Sequence, residues 1–302
     1  MLKANQGSVL MINTPLDFNF MECLVFLGRS DKEILHQIES EILYKLIKVK
    51  NQLILLKIRA SQNTLMIEFP DRKPSEEDLE KVTAFVTEFF DLKRDISGFY
   101  EIALTDQVLK KAVNTYKGLR IIGIPDLFEA LTWAIMGQQI NLTFAYTLKS
   151  RFIEQYGEKL EFDGRTFWLY PPFEKIAALK VEDLRKFQFT TRKAEYVIHT
   201  AKAMAAGELS KEKLLTLQDS DKQREALIKL RGVGAWTADY VMMKCLLRPD
   251  AFPIADVGLH NAIKVQLELQ KKPKIDEIMN LAENWCGWEA YATFYLWRSL
   301  YE

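Results

Sequence analysis

The apolar residues change their period near residue 105, and that change commits one chain to two architectures. Before it, residues 42–49, 53–58 and 64–69 are dense in Ile, Leu, Val, Tyr and Phe, the composition of β-strands. One helix is signalled after them. Pro74 and Ser75 open it with Ser75 as N-cap, Glu76, Glu77 and Asp78 favour its first turn, and Val82, Phe85, Val86, Phe89 and Phe90 recur at helical spacing. Residues 31–37 read as strand or helix alike. Beyond residue 105 the strand signal fades. Helical patterns follow at 127–136, 144–156, 173–179, 181–187, 191–206, 211–217, 221–230, 235–247, 258–269, 275–283 and 288–301, joined by short loops. Residues 161–170 interrupt them as a small hairpin with Asp163-Gly164 at its turn. The expected fold is an α+β N-terminal domain, residues 1–105, followed by a mainly α-helical body, residues 106–302.

With 48% hydrophobic residues and only 13 Gly and 9 Pro in 302, the chain can bury a sizeable core and is not disordered. No apolar run approaches the roughly 20 residues of a membrane span. Met1–Gly7 has no basic stretch leading into an apolar block, so a cytoplasmic location without a signal peptide is expected. Cys23, Cys245 and Cys286 are too few and too scattered for a disulfide framework or a Cys-ligated metal site. Net charge is zero but uneven: residues 1–106 carry 13 Lys+Arg against 17 Asp+Glu, and the remainder 28 against 24. A nucleic-acid contact therefore belongs in the later part, as a local basic patch.

The chemistry is concentrated in Leu230-Arg231-Gly232-Val233-Gly234-Ala235-Trp236-Thr237-Ala238-Asp239-Tyr240, a tight glycine turn between two helical patterns. Two glycines one residue apart permit a sharp turn and leave amides uncovered at a helix N-terminus. Such amides attract an anion, a DNA phosphate among others. Downstream, Asp256 opens a helix, where a carboxylate serves as N-cap or as a functional group. His36, His199 and His260 are scattered, with no nucleophile to pair with.

This segment resembles the helix–hairpin–helix of DNA-repair glycosylases, whose hairpin reads Leu-Pro-Gly-Val-Gly. Residues 251–259, Ala-Phe-Pro-Ile-Ala-Asp-Val-Gly-Leu, are similar to the catalytic-aspartate segment of that superfamily, with Asp256 20 residues beyond Trp236. Arg231 stands where the family usually has Pro. The resemblance implies that Asp256 is the catalytic carboxylate, stabilising positive charge on the sugar and directing a water. It implies a DNA-backbone grip by Gly232, Val233 and Gly234 with Lys229, Arg231 and Lys244. A monovalent cation on the carbonyls of Ile228, Leu230 and Val233 is implied too, with no other cofactor. Members that also cut the backbone carry a Schiff-base Lys where this chain has Trp236, so hydrolysis without lyase activity is expected.

Over nearly the whole chain the resemblance is to the AlkA-type alkylation-repair glycosylases (DNA-3-methyladenine glycosylase II). Residues 16–21, 90–92 and 118–123 look like their opening segment and domain junction. Ala134-Ile135-Met136-Gly137-Gln138-Gln139-Ile140 is similar to their wedge-bearing helix, and residues 288–297 to their C-terminal helix. The resemblance implies a TATA-binding-protein-like sheet in the N-terminal domain. It implies a base pocket of Trp236, Tyr240 and Trp297, and a DNA wedge of Gln139 with Ile140 beside it. Arg298 replaces an aromatic that the family can have. Aromatic faces attract the cationic 3-methyladenine and 7-methylguanine. The expected partner is duplex DNA with alkylated bases, bound by a monomer associated with the nucleoid. A non-catalytic helix–hairpin–helix module, or a glycosylase for another damaged base, is the alternative; a base-sized aromatic pocket argues against the module.

Overall fold

The computed structural model describes residues 9–301; Met1–Gly7 lies outside the described residues. The N-terminal sheet comprises β1 (Leu10–Asn13), β2 (His36–Glu39), β3 (Ile42–Val49), β4 (Gln52–Ser61) and β5 (Thr64–Glu68). All pairings are antiparallel and the order is β1-β5-β4-β3-β2. Two-residue turns set the register: Ser40 and Glu41 both take positive φ, which matches strand twist. Helix α1 (Phe20–Leu27) lies between β1 and β2, and α2 (Glu76–Phe89) follows the sheet. Ser75 caps α2 as expected: its hydroxyl accepts from Asp78 N and the Asp78 carboxylate accepts from Ser75 N.

Both faces of this sheet are covered, so strand β3 reads as nearly continuous apolar sequence. Leu43, Ile47, Ile54, Leu56 and Ile58 pack toward Val82 and Val86 of α2, while Tyr44, Leu46 and Leu55 pack against Phe167. Phe167 belongs to the expected hairpin, β6 (Glu158–Phe162) and β7 (Arg165–Leu169), whose turn has both Asp163 and Gly164 at positive φ. The hairpin lies beyond residue 106 in sequence yet completes the N-terminal layer.

The helical body comprises α3 (Ser97–Ala103), α4 (Lys110–Thr115), α5 (Leu127–Gly137), α6 (Leu142–Tyr156), α7 (Phe173–Ala177), α8 (Val181–Arg185), α9 (Thr191–Ala205), α10 (Lys211–Thr216), α11 (Ser220–Ile228), α12 (Ala235–Lys244), α13 (Val257–Gln266), α14 (Ile275–Leu281) and α15 (Glu289–Arg298). The sequence pattern missed β1, α1, α3 and α4, all short. One apolar cluster runs from Leu10 through Phe90 and Leu119 to Leu296, so the sheet layer and the helices share a core.

Polar ties fix the C-terminal helix against the junction. Tyr291 donates to Asp91 (2.7 Å) and Tyr295 to the Leu119 carbonyl (3.1 Å). Arg120, 1% exposed, donates to Asp17 (2.8 Å) and the Arg94 carbonyl (2.5 Å). The two tyrosine bonds hold α15, and with it Trp297, against the junction. No helix among the described residues is long and apolar enough to cross a membrane.

Candidate active site

The glycine turn joins α11 to α12, and each glycine has its own reason. Gly232 sits at φ +92°, and a Cβ there would lie 2.2 Å from the Tyr196 ring, so both conformation and space demand glycine. Gly234 is the N-cap of α12, has ordinary extended backbone and open space beside it, and offers no side-chain cap. Gly234 and Ala235 are exposed, leaving first-turn amides free to meet an anion. Lys229 and Arg231 flank the turn and are exposed, although Arg231 is paired with Glu195 at 2.6 Å.

Lys244 is not part of this patch. It is 3% exposed, with its ammonium 5.3 Å from the Phe26 ring centroid and 4.7 Å from that of Phe294. The correction follows from helical geometry. Trp236, Tyr240 and Lys244 are spaced by four, so they share the inward face of α12, whereas the phosphate-facing amides are at its end. Burial pushes the Lys244 amine well below its ordinary value.

Asp256 is the N-cap of α13 and at the same time the meeting point of two indoles. Oδ1 accepts from Leu259 N (2.8 Å) and Trp297 Nε1 (2.7 Å), and Oδ2 accepts from Trp236 Nε1 (3.0 Å). The choice between cap and functional group posed by the sequence is therefore not exclusive. Three donors fix the carboxylate's orientation while it remains partly exposed. Gly258, which sequence reasoning passed over, makes this possible: a Cβ there would stand 2.9 Å from Asp256 Oδ1 and 3.2 Å from the Trp297 ring.

The three expected pocket aromatics do come together. The Tyr240 ring lies 5.7 Å from Trp236 and 6.1 Å from Trp297, tilted by 34° and 36°. Trp133 and Tyr146, which no sequence motif singles out, pack in the same cluster with ring centroids 4.8 Å apart. Their only signal was helical spacing on α5 and α6, which says core and nothing more. Burial pushes the Tyr240 phenol upward, so it stays protonated. Arg298 leaves the wall: it turns to Glu22 (2.9 Å) and the Tyr116 ring.

The wedge candidates lie between α5 and α6. Gln139 is exposed at φ +55°, the projecting tip, whereas Ile140 is half-buried against the aromatic cluster and seats the loop. Gln138, also missed, ties this tip to the hairpin by donating to the Gly232 carbonyl (2.9 Å) and Thr237 (3.0 Å). Of the three carbonyls expected around a cation, Leu230 O accepts from Val233 N. Those of Ile228 and Val233 receive no hydrogen bond among the described residues. Oxygen-only ligation suits a hard cation, and the donor set fits one.

Two family models divide the chain. Residues 17–131 match the 8-oxoguanine DNA glycosylase N-terminal domain, and residues 132–287 match the HhH-GPD superfamily base excision DNA repair protein. A Bacillus subtilis (strain 168) protein named DNA-3-methyladenine glycosylase is 44% identical over 98% of both chains. The Archaeoglobus fulgidus 3-methyladenine DNA-glycosylase structure shares the fold with a TM-score of 0.82 at 22% identity, covering 95% of this chain and 96% of its own. The Clostridium acetobutylicum 8-oxoguanine glycosylase/lyase in its apo-form shares it with a TM-score of 0.74 at 21% identity, covering 99% and 98%.

Proposed function

The chain belongs to the HhH-GPD superfamily of base excision DNA repair proteins, and from that premise we propose that it hydrolyses the N-glycosidic bond of alkylated bases in duplex DNA. The observation that carries this reading is Asp256, held by two indole N–H groups beside the faces of Trp236, Tyr240 and Trp297. The hairpin amides with Lys229 and Arg231 take phosphates, which positions the protein without reading sequence. Gln139 enters the stack where the nucleotide has left it. The extruded base lies against the aromatic faces, and its sugar lies at Asp256.

As the glycosidic bond lengthens, positive charge develops on the sugar, and the fixed carboxylate stabilises it without reorganising. A water directed by the same carboxylate then completes hydrolysis. No strong general acid is required, because a base alkylated on the ring already leaves readily. His260, the histidine nearest in sequence, is engaged with the Ile254 carbonyl at 2.8 Å. The indole at position 236 cannot form an imine, so the reaction ends at the abasic site.

A monovalent cation on the carbonyls of Ile228, Leu230 and Val233 would supply a positive charge for a DNA phosphate beside the hairpin. The protein acts as a monomer on duplex DNA. Incubation with methylated duplex DNA, followed by chromatography of the released bases, tests the reading: 3-methyladenine and 7-methylguanine are expected, and release of neither overturns it.

A further inference from the structure

Helix α5 ends at Gly137, and the chain turns sharply out of it. Gln138, the C-cap, leaves helical geometry at φ −58° and ψ 126°, and Gln139 follows at φ +55°. The last carbonyls of such a helix need donors from elsewhere. One turn of α9 supplies one: the buried Lys193 donates to the Met136 carbonyl at 2.7 Å. The same turn underlies the glycine hairpin, where the Tyr196 ring lies against Gly232 and Glu195 pairs with Arg231. Wedge loop and hairpin therefore stand on one support.

Gln138 also joins them directly. Its Nε2 carries two protons and directs both to the hairpin, donating to the Gly232 carbonyl (2.9 Å) and to Thr237 Oγ1 (3.0 Å). These two acceptors flank the exposed Gly234 and Ala235, one before them in sequence and one after. The Gly232–Val233 peptide is pinned at both edges, because Val233 N donates to the Leu230 carbonyl at 3.0 Å. Thr237 is buried in the first turn of α12. A single side-chain amide thus spans the proposed phosphate cradle, one residue before the projecting tip. Glu has the same length but no proton to give, and Asn falls one methylene short.

We propose that Gln138 is a positioning residue for base extrusion, coupling the phosphate cradle to the wedge. A phosphate seated on the hairpin then sets Gln139 at the depth from which it enters the stack. The inference rests on the glycosylase reading above, with Gln139 as wedge, and adds what places that wedge. Extrusion costs the unstacking and unpairing of the damaged base. A loop already ordered lets phosphate binding offset that cost, whereas a loose tip has first to be ordered.

The test compares single-turnover release, at saturating protein, from two duplexes with 7-methylguanine at one position. In one the base is paired with cytosine; in the other it faces an abasic site and has no pairing to lose. Gln138→Met keeps the length and removes both bonds, and Thr237→Val removes one acceptor from the other side. Gln138→Met is expected to slow the paired duplex about tenfold relative to the unpaired one, the scale of one or two neutral hydrogen bonds. Thr237→Val is expected to shift the ratio the same way by less. In a Gln139→Ala background, where no wedge remains to be placed, Gln138→Met is expected to add nothing. General damage to the fold lowers both rates alike, so the ratio carries the result. An unchanged ratio in both variants overturns the positioning role, and so does an undiminished effect in the Gln139→Ala background. A wild type that binds both duplexes and releases 7-methylguanine from neither overturns the glycosylase reading beneath it.

Discussion

Replacing Asp256 with Asn separates the electrostatic task of this side chain from its structural one. Asn is as good an N-cap as Asp, so its carbonyl oxygen takes the Oδ1 place and keeps the bonds from Leu259 N and Trp297 Nε1. Its amide nitrogen then faces Trp236 Nε1, where the carboxylate accepted at 3.0 Å, and two donors meet. Losing that charge-assisted bond costs about 1.5–3 kcal/mol of stability. For a chain of 302 residues that is a fall of roughly 2–5 °C in Tm. The chemical loss is separate. Removing the one preorganised charge beside the developing cation costs about 10²–10³ in rate or more. Single-turnover release from methylated duplex at saturating protein reads the chemistry, calorimetry reads the stability, and affinity for abasic-site DNA reads binding. The expected result is a slower rate, a modestly lower Tm and nearly unchanged affinity. Release within threefold of wild type would refute the catalytic assignment, and an unchanged Tm would refute the account of the indole bond.

The two hairpin glycines should part company. Gly232→Ala, with its Cβ 2.2 Å from the Tyr196 ring at φ +92°, should unfold the hairpin and cost several kcal/mol by urea titration, whereas Gly234→Ala should fold normally. Gly234→Ala should weaken DNA binding alike for every sequence; a change in which base is released, at unchanged affinity, would place the hairpin in the pocket. Borohydride should trap no covalent complex, because Trp236 forms no imine and the Lys244 amine sits two helical turns further in; a protein–DNA band on a denaturing gel would overturn the purely hydrolytic reading. His36 is held at about 4, below its ordinary 6.5, by burial and by the Lys45 and Lys149 charges, against the pull of Glu33. Its folded-state value is depressed, so its contribution is complete above 6.5 and is lost as pH falls from 6.5 toward 4, by up to about 3 kcal/mol. His36→Gln should flatten the urea midpoint over that window, and an unaltered slope would refute the assignment.

The parts legible in the sequence were those with a local cause. Helix periodicity placed eleven segments of the body, and Ser75, Asp163-Gly164 and the paired glycines announced their own geometry. Asp256 was picked out by its interval from the glycine turn and by the family resemblance, and Trp236, Tyr240 and Trp297 by the resemblance, although the bonds of the two indoles to Asp256 were not legible. What stayed hidden depends on tertiary partners. Lys244 read as a phosphate ligand because charge says nothing about which way a helix face turns, and only its spacing from Trp236 and Tyr240 held the answer. Gln138 beside Gln139, and Gly258 beside Asp256, carry no pattern of their own; their importance comes from the Gly232 carbonyl and the Trp297 ring lying across the fold.

The same geometry explains why the two indoles stand where they do. In the proposed mechanism the Asp256 carboxylate faces a developing cation and has to be held still in a half-buried, largely aromatic cleft. Lys or Arg partners would hold it but would also repel the developing positive charge they are meant to help. Indole N–H groups orient the carboxylate with neutral donors and present their ring faces to the base from the same side chain. The basic side chains of this region are kept apart from Asp256, with Lys244 one turn of α12 beyond Tyr240 and Arg298 turned away to Glu22.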